Sequence, residues 1–369
     1  MEPMKLHSKK IASPGLLAAL VLPVVLLAAF RLARSSRNFL NGWVFGVVVP
    51  LEQALGRFWA LLPFSVAEAL TVLFLVGNAV WLIWTAAEGI RRRDMRRTLR
   101  RMLALSAAWL WLWCGLCWLW NGAYYADTFA QRAGLEAEPY SVEELASVTA
   151  YFARQAAGLS DQVTRDGEGH FAEALADCFA AGPEVYENLA EEFPCLDIAA
   201  VRAKPLVFSR LQSILGFTGV YFPFTGEANV NVDAPACLVP ATIAHEMAHQ
   251  RMVASELEAN FVGIAACATS DNVVFQYSGY LMGLIQLCNA LYPVDAQAWQ
   301  TIVQESFTPQ LSTDWNDNNA YWAALESPVS DGAEQAYDSF LKGNGQELGI
   351  HSYGACVDLL VAYFGPLAE

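Results

Sequence analysis

The sequence predicts a mainly α-helical protein in which three N-terminal transmembrane helices precede a mostly helical α+β domain with a small sheet. Two observations support this fold class. First, 55% of the 369 residues are hydrophobic and the mean hydropathy is +0.30, which is too apolar for an ordinary soluble domain. Second, three uncharged stretches near the N-terminus are each long enough to cross about 30 Å of hydrocarbon as a helix.

These stretches define a membrane anchor that is followed by a second domain. Transmembrane helices are predicted at about residues 11–30, 66–88 and 102–122. The anchor therefore occupies residues 1–126, with the lipid bilayer as its partner, and the second domain occupies residues 127–369. A secretory signal is the alternative for the first stretch, but an arginine stands where a cleavage site needs small, uncharged residues.

Basic residues determine the predicted orientation in the membrane. Residues 91–101, between the second and third spans, contain seven arginines, and Lys5, Lys9 and Lys10 precede the first span. Because positively charged loops stay on the cytoplasmic side, both segments are expected to be cytoplasmic and the second domain extracytoplasmic. The arginines in the first connection, between the first and second spans, oppose this orientation but are fewer and more dispersed. The predicted location is the cell membrane, with several spans.

The second domain is strongly acidic. Residues 123–369 contain 32 Asp and Glu against 8 Lys and Arg, and a surface of this charge repels nucleic acid. No nucleic-acid partner is therefore expected. The acidity is typical of a solvated extracellular surface, or it indicates a preference for basic substrates. Six of the eight cysteines lie in this domain, where disulfides are possible in fifteen alternative pairings.

Local patterns predict the elements of the second domain. Ser141 and Glu144 fit a capping box that begins a long helix. β-Branched and aromatic residues with glycines predict strands between residues 205 and 232, and residues 228–232 alternate as in a half-exposed strand. Residues 273–291 are apolar enough for a fourth span, but their polar side chains favour a helix lying over the candidate site.

That candidate site is the His-Glu-Met-Ala-His sequence at residues 245–249. Residues 239–249 are predicted to form one helix, because a proline suits its first turn and no helix breaker follows. Residues four apart share a helix face, so His245 and His249 can bind one tetrahedral ion, and zinc is the ion expected. Glu246 then points beside the metal, where it is the candidate general base for a bound water molecule.

A catalytic zinc site needs a third protein ligand, and two acids lie close downstream, Glu256 and Glu258. In one straight helix Glu256 would lie about 10 Å along the axis from His249, too far for two ligands with bonds near 2 Å. The helix must therefore break. Ser255 and Glu258 fit a capping box, so Glu256 is the favoured ligand, supported by the Asn260 amide. Glu258 as the ligand, or two solvated acids, are the alternatives.

These motifs resemble those of two known groups of proteins. The segment from Glu256 to Asn260 is similar to the E-x-x-x-[DN] signature of gluzincin zinc peptidases, which implies a zincin-like domain. The signature blocks of a bacterial membrane-anchored family, named domain of unknown function 3810, resemble residues 222–231, 245–251, 256–261 and 277–280. This second resemblance covers most of the chain and implies a zinc metallopeptidase. Met252 stands where a glycine is expected in relatives.

The function predicted is that of a membrane-anchored zinc endopeptidase with an unidentified polypeptide substrate. His245, His249 and Glu256 bind the zinc, and Glu246 acts as the base. The alternative is a non-catalytic zinc-binding membrane sensor or assembly protein. Structural zinc sites are usually closed by four protein ligands, so a site with three favours catalysis.

Three further features are candidates for the site. Tyr277 and Tyr280 are three apart on one helix face and could donate a phenol hydrogen bond to a tetrahedral intermediate, although packing tyrosines have the same spacing. His351 could also reach the site. By resemblance to such peptidases, the strands that precede the motif would form an edge along which an extended substrate binds, the alternative being an ordinary hairpin.

Overall fold

The computed structural model describes residues 13–199, 201–344, 346 and 353–368. It is mainly helical with a small sheet, as predicted. In chain order the helices are α1 (Pro14–Ala33), α2 (Arg37–Trp43), α3 (Val49–Trp59), α4 (Val66–Arg92), α5 (Met95–Leu119), α6 (Phe129–Ala133), α7 (Val142–Leu159), α8 (Leu175–Ala181), α9 (Glu187–Glu192), α10 (Ser209–Ile214), α11 (Val239–Gln250), α12 (Glu256–Thr269), α13 (Val273–Leu291), α14 (Ala296–Ser306), α15 (Pro309–Ala323), α16 (Pro328–Gly343) and α17 (Tyr353–Ala368). The strands are β1 (Lys204–Pro205), β2 (Gly219–Phe222) and β3 (Glu227–Val230).

Among the described residues, three helices, α1, α4 and α5, are long and apolar enough to cross a membrane, in agreement with the three predicted stretches. The residues that cap the starts of these helices are Ser13, Ser65 and Asp94. Each side chain accepts a hydrogen bond from the backbone N–H three residues later. A left-handed residue, Arg93 with φ +49°, ends α4 and turns the chain directly into α5. The basic segment therefore forms the tip of a helical hairpin.

The connection between the first two spans is folded rather than extended. It contains α2, a π-helical turn at Val44–Val48, and α3. Leu40, Val44 and Val48 are buried in a cluster that also contains residues of the second domain, including Tyr221 and Met252. Because apolar side chains of both parts share one core, the connection holds the second domain against the spans.

The sheet has the strand order β1-β3-β2, with β1 parallel and β2 antiparallel to β3. All four residues of β3 are buried, so the prediction of a half-exposed strand at residues 228–232 was wrong. The reason is that other elements cover β3. Helix α11 packs on the strand, and the carboxylate of Glu227 in β3 accepts hydrogen bonds from the N–H groups of Val66 and Ala67 at the start of α4. β2 remains as an edge strand.

The core of the second domain lies among α7, α11, α12, α13 and α17. The predicted capping box of Ser141 and Glu144 begins α7. Residues 273–291 form α13, which is buried against α7 and α12 and is therefore a core helix rather than a fourth span. Its Ser278 hydroxyl donates to the Cys237 carbonyl at 2.7 Å, which satisfies a polar group inside the core. All eight cysteines are free thiols.

Candidate metal centre

The break between the two ligand-bearing helices is present as predicted. Helix α11 contains His245 and His249, ends at Gln250, and is followed by Met252 with φ +57°. Helix α12 then begins at Glu256. The left-handed position is occupied by a methionine rather than a glycine, which costs about 1–2 kcal/mol of backbone strain. The Met252 side chain is buried in the cluster shared with the first connection, and this burial offsets the strain.

His245, His249 and Glu256 converge on one point. One ligand atom from each lies within 4.8 Å of the others. Glu256 Oε2 is 3.3 Å from His245 Nε2 and 3.7 Å from His249 Nε2. A tetrahedral zinc ion with bonds of about 2.0–2.1 Å spaces its ligand atoms by about 3.4 Å. The two distances from Glu256 to the histidines are therefore compatible with such an ion.

The hydrogen bonds of the histidines also fit a metal site. His249 Nδ1 lies 2.7 Å from the Val253 carbonyl oxygen, so Nδ1 carries a proton and Nε2 is the nitrogen that is left to bind a metal ion. His245 Nδ1 has no partner among the described residues. Gly263 of α12 allows the two helices to approach, because a Cβ there would lie 2.8 Å from the His245 backbone nitrogen.

Of the two candidate acids, Glu256 lies with the histidine pair and Glu258 does not. The Glu258 carboxylate accepts the N–H groups of Phe129 and Ala130 at 2.8 and 2.9 Å and so caps α6. The predicted capping box was wrong, since the Ser255 side chain makes no capping hydrogen bond and Glu258 caps a different helix.

The expected support of Glu256 by Asn260 is also absent, because no hydrogen bond joins these two described residues. Instead, the hydroxyl of Tyr337 in α16 donates to Glu256 Oε1. Sequence reasoning missed Tyr337, which lies 81 residues from Glu256 and has no motif around it. A second missed contact is that of Trp120, at the end of α5, whose ring meets the His249 ring edge-on at 5.5 Å.

Glu246 lies beside the three ligands and is almost completely buried. Its Oε2 atom has no partner among the described residues. Burial raises the pKa of Glu246 to about 7, although the neighbouring His249 and His245 oppose this shift. A buried carboxyl group with a pKa near neutrality can both accept and release a proton.

His249 and Glu256 form an ion pair. Burial alone would lower the pKa of His249, but the Glu256 carboxylate outweighs burial and raises this pKa to about 9. Burial would raise the pKa of Glu256, and the two histidines hold it well below its ordinary value. A divalent ion would take the place of the shared proton, as metal binding to His and carboxylate ligands generally does.

A cavity of about 530 Å³ opens in front of the ligands and Glu246. One wall is the edge strand β2 with the residues before it, and the opposite wall includes Tyr337 and Phe340 of α16. Leu116 and Trp120, at the end of α5, also line the cavity. The cavity is therefore bounded both by the second domain and by a candidate membrane span.

The two candidate tyrosines of α13 lie elsewhere. The Tyr277 hydroxyl donates to Asp314, and Asp314 also binds Arg165 at 2.9 Å. The Tyr280 hydroxyl lies 3.4 Å from that of Tyr151. Neither tyrosine lines the cavity, so the prediction that one of them reaches the site was wrong. Both sit on faces of α13 that pack against other core helices. His351 lies outside the described residues.

The sequence matches the family described as Protein of unknown function (DUF3810) over residues 45–361. The chain belongs to this family. The matched region of this DUF3810 protein starts within the first connection and includes α4, α5 and all four residues of the candidate metal centre. No curated protein and no solved structure matches the chain significantly.

Proposed function

We propose that this DUF3810 protein is a membrane-anchored, zinc-dependent endopeptidase. The observation that supports the proposal is the combination of three candidate ligands, at a spacing compatible with zinc, with the buried carboxylate of Glu246. This carboxylate lines a cavity, and one of its oxygens has no partner among the described residues. His245, His249 and Glu256 would hold the zinc ion. Bound there, the ion would lower the pKa of a water molecule and polarise a peptide carbonyl.

Glu246 supplies the proton transfers that the reaction requires. It accepts a proton from the attacking water, whose oxygen forms a bond to the carbonyl carbon of the substrate. As the carbon–nitrogen bond breaks, Glu246 donates that proton to the leaving amine. One water molecule is consumed for each peptide bond cleaved. A sensor or assembly protein would need only the three ligands, whereas the buried carboxylate and the cavity have a use in hydrolysis.

The edge strand β2 is suited to position an extended polypeptide. Asn231 N–H donates to the Thr218 carbonyl, and alternate residues of an antiparallel strand face its partner. The backbone groups of Gly219 and Tyr221 are therefore directed away from β3, and both residues line the cavity. An added substrate strand can bind these groups without selecting particular side chains.

The proposed location is the cell membrane, with the N-terminus in the cytoplasm and the site on the other side. It rests on the arginine-rich tip between α4 and α5 and the acidity of the second domain. Cysteines introduced at exposed Arg92 and at exposed Val294, each in a Cys195→Ser background, test it in intact cells. Labelling by an impermeant maleimide is expected at position 294 alone, and labelling at position 92 alone would contradict the orientation.

The activity test uses the purified full-length chain in lipid nanodiscs. The protein is stripped with a chelator, reloaded with Zn²⁺ and incubated with a degenerate peptide library, and the products are identified by mass spectrometry. Cleavage is expected with zinc and not without it. The Glu246→Gln variant is expected to retain zinc and lose cleavage by at least about 100-fold. Undiminished cleavage by this variant would rule out the proposed role of Glu246.

A further inference from the structure

The cavity of the candidate metal centre reaches down to the level of the membrane. Leu116 lies in α5, whose apolar part follows Arg101. Fifteen residues of helix separate the two positions, a rise of about 22 Å, whereas the hydrocarbon core of a bilayer is about 30 Å thick. Because an arginine stays near the interface, Leu116 lies at or below the far surface of the membrane. Part of the cavity lining is therefore formed by α5 at the depth of the far membrane surface.

The turn between β2 and β3 also touches this span. Phe224 lines the cavity, and its ring packs against the backbone of α5 at Gly115, where a Cβ atom would lie 2.7 Å from Phe224 Cε1. Only a glycine permits this approach. The tip of the β2–β3 hairpin is thus fixed to α5 one residue before Leu116, at the same depth.

Next to Gln212, a residue of α10 that lines the cavity, apolar side chains are exposed near the start of another span. Val207, Phe208 and Leu211 are 76%, 53% and 53% exposed. The N–H groups of Val207 and Phe208 donate to the Glu68 carboxylate at 2.9 and 2.8 Å, and Glu68 lies in the first turn of α4. These three side chains, here called the apolar rim, are therefore held level with the end of a membrane span. Apolar groups in that position are typical of membrane contact.

A buried ion pair keeps the domain at this depth. Glu227 of β3 binds Lys204 and also caps the start of α4 through Val66 and Ala67. The Lys204 ammonium donates in addition to the Trp59 carbonyl at 2.8 Å, at the end of α3. Since both charges are buried and fully used in these contacts, separating the domain from the spans would leave charges unpaired in the interior.

We infer that the site acts on juxtamembrane segments of membrane-anchored polypeptides, which reach the cavity along the membrane surface. This inference rests on the proposed peptidase function and specifies its substrate class. Part of the cavity lining lies at the depth of the membrane surface, and the apolar rim lies beside the cavity. The site therefore favours a polypeptide substrate that is already held at the membrane surface. Attachment to the same bilayer also raises the local concentration of the substrate without any new contact.

The position of the apolar rim is tested first, by a measurement that needs no activity. A nitroxide is attached to Leu211→Cys in the full-length chain, in a Cys195→Ser background because the other seven cysteines are buried. Collisions with oxygen, which concentrates in lipid, are compared with collisions with a water-soluble nickel complex. Oxygen should dominate at position 211, and the nickel complex should dominate at the control Val294→Cys, which is 60% exposed. A fully aqueous label at position 211 would overturn the inference.

Cleavage is then compared on three probes that carry one degenerate peptide sequence. The sequence is free in solution, joined to a transmembrane helix by a short linker, or joined to it by a long flexible linker. The short-linker probe should be cleaved about tenfold or more faster than the free probe at equal total concentration in proteoliposomes. Leu211→Asp should reduce this ratio, and Val294→Asp should not.

The outcomes separate this inference from the proposed function. Equal cleavage of the free and anchored probes would leave the peptidase standing and overturn the juxtamembrane substrate. Faster cleavage of the long-linker probe than of the short-linker probe would also overturn the juxtamembrane substrate and leave the peptidase standing, because it would place the cavity far from the membrane. No cleavage of any probe, or release of fatty acids from the lipid instead, would overturn both.

Discussion

Gly219 of the edge strand lies directly against the Glu246 carboxylate: a Cβ atom at position 219 would be 2.4 Å from Glu246 Oε1. This contact joins the strand proposed to hold the substrate to the residue proposed to transfer the proton. It also explains why a glycine is required in a strand at this point, where glycine otherwise weakens the sheet.

Gly219→Ala is expected to displace the Glu246 carboxylate without touching the three ligands. Cleavage should fall by about 100-fold, the usual contribution of a general base, while the zinc content stays at one ion per chain. Gly158→Ala is the matched control, since nothing lies within 4 Å of a Cβ there and the residue is in α7. Loss of zinc together with activity would mean that Gly219 supports the ligands instead.

Tyr337→Phe is expected to weaken zinc binding. The phenylalanine keeps the ring beside Phe217 but loses the hydrogen bond to Glu256 Oε1, and the loss of such a supporting contact typically reduces metal affinity by about 10- to 100-fold. Competition with a zinc-binding dye measures the change. Tyr363→Phe, which removes a similar hydroxyl bond to Glu192, should leave the affinity unchanged. Equal affinities in both variants would contradict the role of Tyr337.

Local sequence was enough to predict which three candidate ligands the fold brings together, but not the residues that contact them. The spacing of His245 and His249 and the need for a helix break before Glu256 follow from helix geometry. The contacts of Gly219 and Tyr337 depend on how β2 and α16 pack on the site, and no local pattern records them. They could have been found only by a signal that links distant positions.

Two wrong predictions have a common physical reason. The acid at position 258 fits a local capping box, and residues 228–232 fit a half-exposed strand, yet both contact distant elements of the chain. Glu258 caps α6 just after the third span, and β3 is buried in part by the start of α4. Local patterns assume that a domain is covered by water, whereas here neighbouring elements of the chain cover these residues.

Glu52 of α3 is expected to make stability decrease with rising pH. Burial raises its pKa well above the ordinary 4.5, although the Tyr221 hydroxyl bond at 2.7 Å opposes this shift. The folded protein therefore binds the Glu52 proton more tightly than the unfolded chain, so the free energy of unfolding falls as the pH rises above about 4.5. Thermal denaturation in detergent at a series of pH values should show a shallower decline for Glu52→Gln than for the surface control Glu326→Gln. The same decline in both variants would contradict the prediction.

The most direct test of the metal centre is the zinc content of two neighbouring variants, Glu256→Gln and Glu258→Gln, measured by elemental mass spectrometry on the purified full-length chain. Glu256→Gln should lose the ion, because a neutral amide replaces a charged ligand. Glu258→Gln should keep one zinc per chain and lose about 1–3 kcal/mol of stability, since it weakens the cap of α6. Zinc retained by Glu256→Gln and lost by Glu258→Gln would contradict the site described above.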